Sequence, residues 1–187
     1  MRVITLDNTS LETICERLAD KIRKAGYQPD LILGVQTGGA VIAEKVFSIL
    51  GSKNSRLSFC HPIRKSTSKK KSFLKDHLKK LPRFVLDFLR IIEYKFLFNR
   101  NERRNFASIE LPSDLSDYKK ILIVDDAVDS GATLKALTDK INSEYPEMQI
   151  KTAALTVTGA DSAYMPDFYI YNDKTLLRFP WSADMRQ

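Results

Sequence analysis

The sequence predicts an α/β domain: a parallel, twisted sheet with helices on both faces, interrupted by an inserted helical hairpin. Three observations carry this. Short apolar segments alternate with amphipathic ones along most of the 187 residues. The apolar segments are nearly continuous, as in LILGV (31–35) and ILIV (121–124), which is the pattern of strands covered on both faces. Residues 65–103 break the rhythm with a lysine-rich and then aromatic stretch.

The elements follow in order. Residues 9–25 read as a helix: Leu11, Ile14, Cys15, Leu18 and Ile22 recur on one face. Thr9 and Glu12 have the spacing of a capping box, and Gly26 stands where a left-handed stop is expected. LILGV (31–35) is a short buried strand, QTGG (36–39) a turn, and AVIAEKVFSIL (40–50) a second helix ended by Gly51. RLSFCHPI (56–63) and YKKILIVDD (118–126) read as strands, and GATLKALTDKINSEY (131–145) as the helix after them. IKTAALTVT (150–158), DFYIY (167–171) and TLLRF (175–179) complete the strand set. There is no internal repeat. In such sheets ligands bind beyond the carboxyl ends of the strands, so GVQTGG and DDAVDSGAT are expected to border one crevice.

Composition narrows the class. With 43% hydrophobic residues the chain can bury a real core. The N-terminal stretch MRVITLDNTS has no apolar h-region, so no signal peptide is expected. No uncharged apolar run reaches the length of a membrane span. Cys15 and Cys60 stand alone without a CxxC pair, as expected of a reduced, cytoplasmic chain. His61 and His77 are too isolated from other ligand types to suggest zinc. The net charge is +7, but residues 64–104 hold fourteen Lys/Arg against four Asp/Glu. That local balance of +10 leaves −3 for the remainder, so the basic character belongs to one segment.

The chemistry concentrates in ILIVDDAVDSGAT (121–133). An apolar strand running into Asp125 and Asp126 cannot bury both carboxylates unpaired, since each would cost several kcal/mol in a dry site. They must meet solvent, a cation or a polyhydroxylated ligand, and adjacent carboxylates can hold Mg²⁺ through its water shell. The turn that follows opens a helix. Its amides, with the Ser130 and Thr133 hydroxyls, make an anion site suited to a phosphate monoester. Two carboxylates beside a phosphate site describe a sugar phosphate, most simply a ribose 5-phosphate. Taken alone, Asp-Ser-Gly-Ala-Thr is also an ordinary helix start, and QTGG is also a plain glycine turn.

ILIVDDAVDSGAT resembles the phosphoribosyl pyrophosphate (PRPP) motif of type I phosphoribosyltransferases, with Ala127 where a larger aliphatic residue is usual. LILGVQTGGAVIA is similar to the pyrophosphate loop of that family. The resemblance covers the chain outside 65–103 and implies the type I phosphoribosyltransferase fold. It also implies a Mg²⁺-dependent transferase that joins the 5-phosphoribosyl group of PRPP to a nitrogenous base. By this resemblance Asp125 and Asp126 hold the ribose hydroxyls and lie near the metal. Asp129, Ser130, Gly131, Ala132 and Thr133 bind the 5-phosphate, and Asp129 is the candidate general base. Gln36, Thr37, Gly38 and Gly39 wrap the pyrophosphate, with a non-proline cis peptide at Gln36–Thr37.

The tail PDFYIYNDKTLLRFPW resembles that of the six-oxopurine branch, the xanthine–guanine and hypoxanthine enzymes of purine salvage. It implies base-binding roles for Thr158, Leu176, Leu177 and Trp181. Three positions depart from that branch: Thr37 and Thr158 replace basic residues, and Leu176 replaces a stacking aromatic. Trp181 reads equally as a core anchor. Residues 65–103 occupy the place of a mobile loop in the family and can be read as a lid, as the surface of a homodimer or other partner, or as a basic element meeting nucleic acid or a membrane surface. The expected activity is transfer from PRPP to a purine. A PRPP- or nucleotide-sensing protein that binds nucleic acid, and a transferase with a non-nucleobase acceptor, are the alternatives.

Overall fold

Strands that are apolar on both sides must be sandwiched, and among the described residues three α-helices do this. The structure, a computed structural model, describes residues 2–64, 106–159, 162 and 164–182. The order is β1 (Arg2–Thr5), α1 (Asn8–Lys24), β2 (Leu31–Val35), α2 (Gly38–Leu50), β3 (Arg56–Arg64), β4 (Phe106–Glu110), β5 (Lys120–Val128), α3 (Ala132–Glu144), β6 (Gln149–Val157), β7 (Phe168–Tyr171) and β8 (Thr175–Arg178). The main sheet has the strand order β4-β3-β2-β5-β6-β7. Its strands are parallel except β4, which runs antiparallel to β3. β1 and β8 form a separate parallel pair.

Side chains alternate across the sheet. Ile32, Leu122, Val124 and Leu155 pack with α1 and α2 on one face. Leu31, Leu33, Ile121 and Ile123 pack with Leu134, Leu137 and Ile141 of α3 on the other. Full burial of each such side chain contributes about 1.5–3 kcal/mol relative to exposure. This is the α/β architecture expected, with helices on both sides of a mostly parallel sheet. The edge strand β7 is pinned by a polar network: Asp167 accepts from the Thr152 amide (2.8 Å), the Thr152 hydroxyl (2.9 Å) and Lys151 Nζ (2.7 Å).

Several boundaries differ from the sequence expectations. Asp7 caps α1, accepting from the Ser10 amide at 2.8 Å, so Thr9 and Glu12 do not form the capping box. Glu12 instead pairs with Lys45 of α2 at 3.2 Å. Gly26 does take the expected left-handed conformation, φ +69°. α2 begins at Gly38, so the glycines of QTGG open the helix. β5 runs on to Val128, which puts Asp125 and Asp126 inside the strand and not at its end. β1 and β4 were not expected; each is short and acquires its identity from a distant partner. The hairpin expected at 65–103, with His77, lies outside the described residues. Among the described residues no helix is long and apolar enough to cross a membrane.

Candidate active site

Register builds the site. Gly34 lies opposite Val124, and Val35 opposite Cys60. Continued past these pairs, the same register brings Gln36, His61 and Asp126 to one level at the carboxyl edge, with Asp125 one step below beside Val35 and Cys60. The Gln36 amide donates to the Cys60 carbonyl at 3.0 Å, carrying the pairing one step past β2. Beyond this edge opens a cleft of about 480 Å³. It is lined by Gln36, Thr37 and Gly38 from the β2–α2 turn, by His61 and Pro62 from β3, and by every residue from Asp125 to Leu134.

Two features shape the acidic wall. The Asp126 amide donates to Asp125 Oδ1 at 2.9 Å, and the Ala127 amide to Asp126 Oδ1 at 3.0 Å. These bonds orient both half-buried carboxylates. The β2–α2 turn also comes so close that a Cβ on Gly38 would sit 2.0 Å from Asp126 Oδ2, and one on Gly39 would sit 2.7 Å from the Val124 carbonyl. Only glycine permits this approach. Gly38 lines the cleft while Gly39 is buried behind it. The Gln36–Thr37 peptide is cis, as the resemblance implies.

On the other side Gly131 caps α3 at φ +73°. A Cβ there would meet the Tyr164 carbonyl at 2.5 Å and Ser162 Oγ at 2.6 Å. Gly159 presses on the Asp129 carbonyl in the same way. The turn Asp129–Thr133 is thus clamped from behind, and its helix N-terminus faces the cleft.

The residues expected at the acceptor lie elsewhere. Thr158 is buried next to the cleft floor, its amide donating to the Val128 carbonyl at 2.8 Å. Leu176 lies opposite Val3 in the β1–β8 pair. Leu177 is buried in the cluster with α1. Trp181 is 40% exposed and stacks on Phe179, ring centroids 4.7 Å apart and planes 8° from parallel. It is therefore not a core anchor. None of the four lines the cleft.

Sequence reasoning missed His61 and Pro62 as cleft residues, and Gly159, Ser162 and Tyr164 as the clamp. His61 Nδ1 lies 3.1 Å from Gln36 Oε1. The signal for His61 was its place at the carboxyl end of a strand, the position already used for the other two loops. Beneath the cleft, burial and then the charge of Asp125 push the Cys60 thiol up to about 12.

The paired carboxylates offer hard oxygen donors. Among the described residues no three His, Cys, Asp or Glu side chains gather into a closed metal cage. An acidic pair without a third protein ligand suits Mg²⁺, which keeps waters and substrate oxygens in its shell. Asp125 and Asp126 fit such an ion.

The phosphoribosyl transferase domain model matches residues 5–185. The chain belongs to this family. A curated relative, phosphoribosyltransferase domain-containing protein 1 of Homo sapiens, is 31% identical over 182 residues, covering 92% of this chain and 67% of the relative. Among solved structures, a purine phosphoribosyltransferase from Pyrococcus horikoshii superposes with a TM-score of 0.63 at 22% identity, covering 97% of this chain and 95% of the other. The xanthine–guanine–hypoxanthine phosphoribosyltransferase of Helicobacter pylori gives 0.67 at 15% identity, covering 96% and 94%. A hypothetical protein from Neisseria gonorrhoeae with bound ppGpp gives 0.62 at 15% identity, covering 96% and 89%. These structures share the fold of the family.

Proposed function

We propose that the chain transfers the 5-phosphoribosyl group of PRPP to a purine base and releases pyrophosphate. One observation carries this: the carboxylate pair, the clamped Asp129–Thr133 turn and the Gln36–Gly38 turn line a single cleft. In this reading Asp125 and Asp126 accept hydrogen bonds from the ribose 2- and 3-hydroxyls. The amides at the start of α3, with Ser130 and Thr133, hold the 5-phosphate. The turn Gln36–Gly39 presents backbone groups to the diphosphate.

The bond between C1 of ribose and the diphosphate oxygen breaks, and its electron pair leaves with pyrophosphate. The base nitrogen forms the new bond to C1, and Asp129 takes the proton that this nitrogen sheds. The chain contributes positioning, since the turns that hold the donor are fixed at the carboxyl edge of the sheet. Mg²⁺, when bound, neutralises charge on the diphosphate; Asp125 and Asp126 are the residues that would hold it. For the acceptor we assign Thr158, Leu176 and Trp181, with Leu177 backing them from the core. The purine is supported by the tail and by the two purine phosphoribosyltransferases that share the fold.

The test is pyrophosphate release from PRPP and Mg²⁺ with a panel of bases. Turnover with one or more six-oxopurines is expected. Turnover with pyrimidines alone overturns the acceptor, and silence with every base overturns the reaction.

A further inference from the structure

PRPP is densely anionic, yet the described cleft is acidic. Its lining includes Asp125, Asp126 and Asp129 and neither Lys nor Arg. Among the described lining residues, His61 is the one side chain able to carry positive charge. It sits on the same side as the turn assigned to the diphosphate, not beside the 5-phosphate turn. Its Nδ1 is 3.1 Å from Gln36 Oε1. A carbonyl oxygen only accepts, so Nδ1 carries a proton there. Nε2 is left as the ring's second polar group.

Oxygen-bearing groups surround the His61 ring. Glu110 of β4 lies directly opposite it in the antiparallel pair, where facing side chains are within about 5 Å at Cβ. Asp125 and Asp126 of β5 face the same cleft. Gln36 contributes a neutral acceptor. Among the described residues, four groups on three elements thus present negative or accepting oxygen toward this ring or its cleft.

We infer that His61 is a diphosphate-binding residue: its Nδ1–H is anchored on Gln36, and Nε2, which takes up a proton as the polyanionic ligand arrives, then donates to the diphosphate of the donor. This rests on the donor reading proposed above and deepens it. Sequence adjacency does not reveal the pair, because Gln36 and His61 are 25 positions apart and meet only through the β2–β3 register. The role separates the two halves of the ligand. His61 serves the diphosphate and is irrelevant to the 5-phosphate.

The test compares PRPP with ribose 5-phosphate, which lacks the diphosphate, by calorimetric titration of the full chain with Mg²⁺ present. His61→Ala is expected to weaken PRPP binding about tenfold, the effect of one charge-assisted hydrogen bond in an open cleft, and to leave ribose 5-phosphate unchanged. His61→Lys, which restores a cation, is expected to recover most of the loss. Equal weakening of both ligands would show a merely structural residue and overturn the inference. Unchanged PRPP affinity would overturn it as well. A wild-type chain that binds neither ligand overturns the donor reading itself, and the role of His61 falls with it.

Discussion

The donor-side segment Asp125–Leu134 and the tail Thr175–Trp181 are built on opposite plans. In the first, ten consecutive residues line the cleft, and a backbone that passes from strand to helix aims them. In the second, neighbours part company. Leu177 goes into the core, Leu176 onto the β1 pair, and the exposed Trp181 onto the ring of the buried Phe179. A contiguous site can be read from local chemistry, whereas a site made of alternating residues depends on what each face meets.

Changes in the two regions should therefore differ in kind. The largest effect is expected from Asp126→Asn, which keeps the shape and removes the charge. Pyrophosphate release should fall about a hundredfold or more with little change in melting temperature, and unaltered turnover would remove this carboxylate from the site. Gly131→Ala should act on both function and stability. The added Cβ strains a φ of +73° and strikes the Tyr164 backbone, so denaturant titration should show a loss of about 1–3 kcal/mol together with weaker PRPP binding.

The two thiols compare the regions by pH. Cys60 lies under the cleft, packed with β5 and α3; Cys15 lies on α1, in the cluster that holds Leu177 and Phe179. Burial raises both, to about 12 and about 11, and the charge of Asp125 adds to the first. The unfolded chain loses these protons near 9 while the native chain keeps them. Stability should thus be intact below pH 9 and decline above it, by about 1.4 kcal/mol per pH unit for each proton. Cys60→Ala should flatten part of the decline in denaturation midpoints, and an unchanged slope would deny Cys60 its share. The smallest effect is expected at Trp181. Trp181→Ala removes a half-open stack worth about 0.5–1.5 kcal/mol. If the tail binds the acceptor, the KM for the base rises while PRPP affinity holds; a change in neither would return Trp181 to a surface role.

Most of the strand and helix pattern was legible, because LILGV and ILIV carry too much apolar surface for anything but a covered strand. The DDAVDSGAT chemistry was legible for the same local reason. The misreadings have physical causes. Thr9 and Glu12 carry the right spacing for a cap, but Asp7 is the residue placed at the end of the helix with an oxygen on the Ser10 amide. β1 and β4 were invisible because RVIT and FASIE have too little apolar pattern to declare a strand without the partners they pair with. His61 looked like an isolated histidine because nothing near it in sequence shares its task.

By itself the sequence determined which stretches are covered strands and where the acidic pair and the small-residue turn fall, since hydrophobic burial and glycine's freedom act over a few residues. Tertiary structure alone decided that Gln36, His61 and Asp126 stand at one level, that Gly38 lies against Asp126, and that Trp181 faces outward. Those outcomes follow from the register of parallel strands far apart in the chain. A pairing step moved by one residue would turn His61 and Asp126 to the other face.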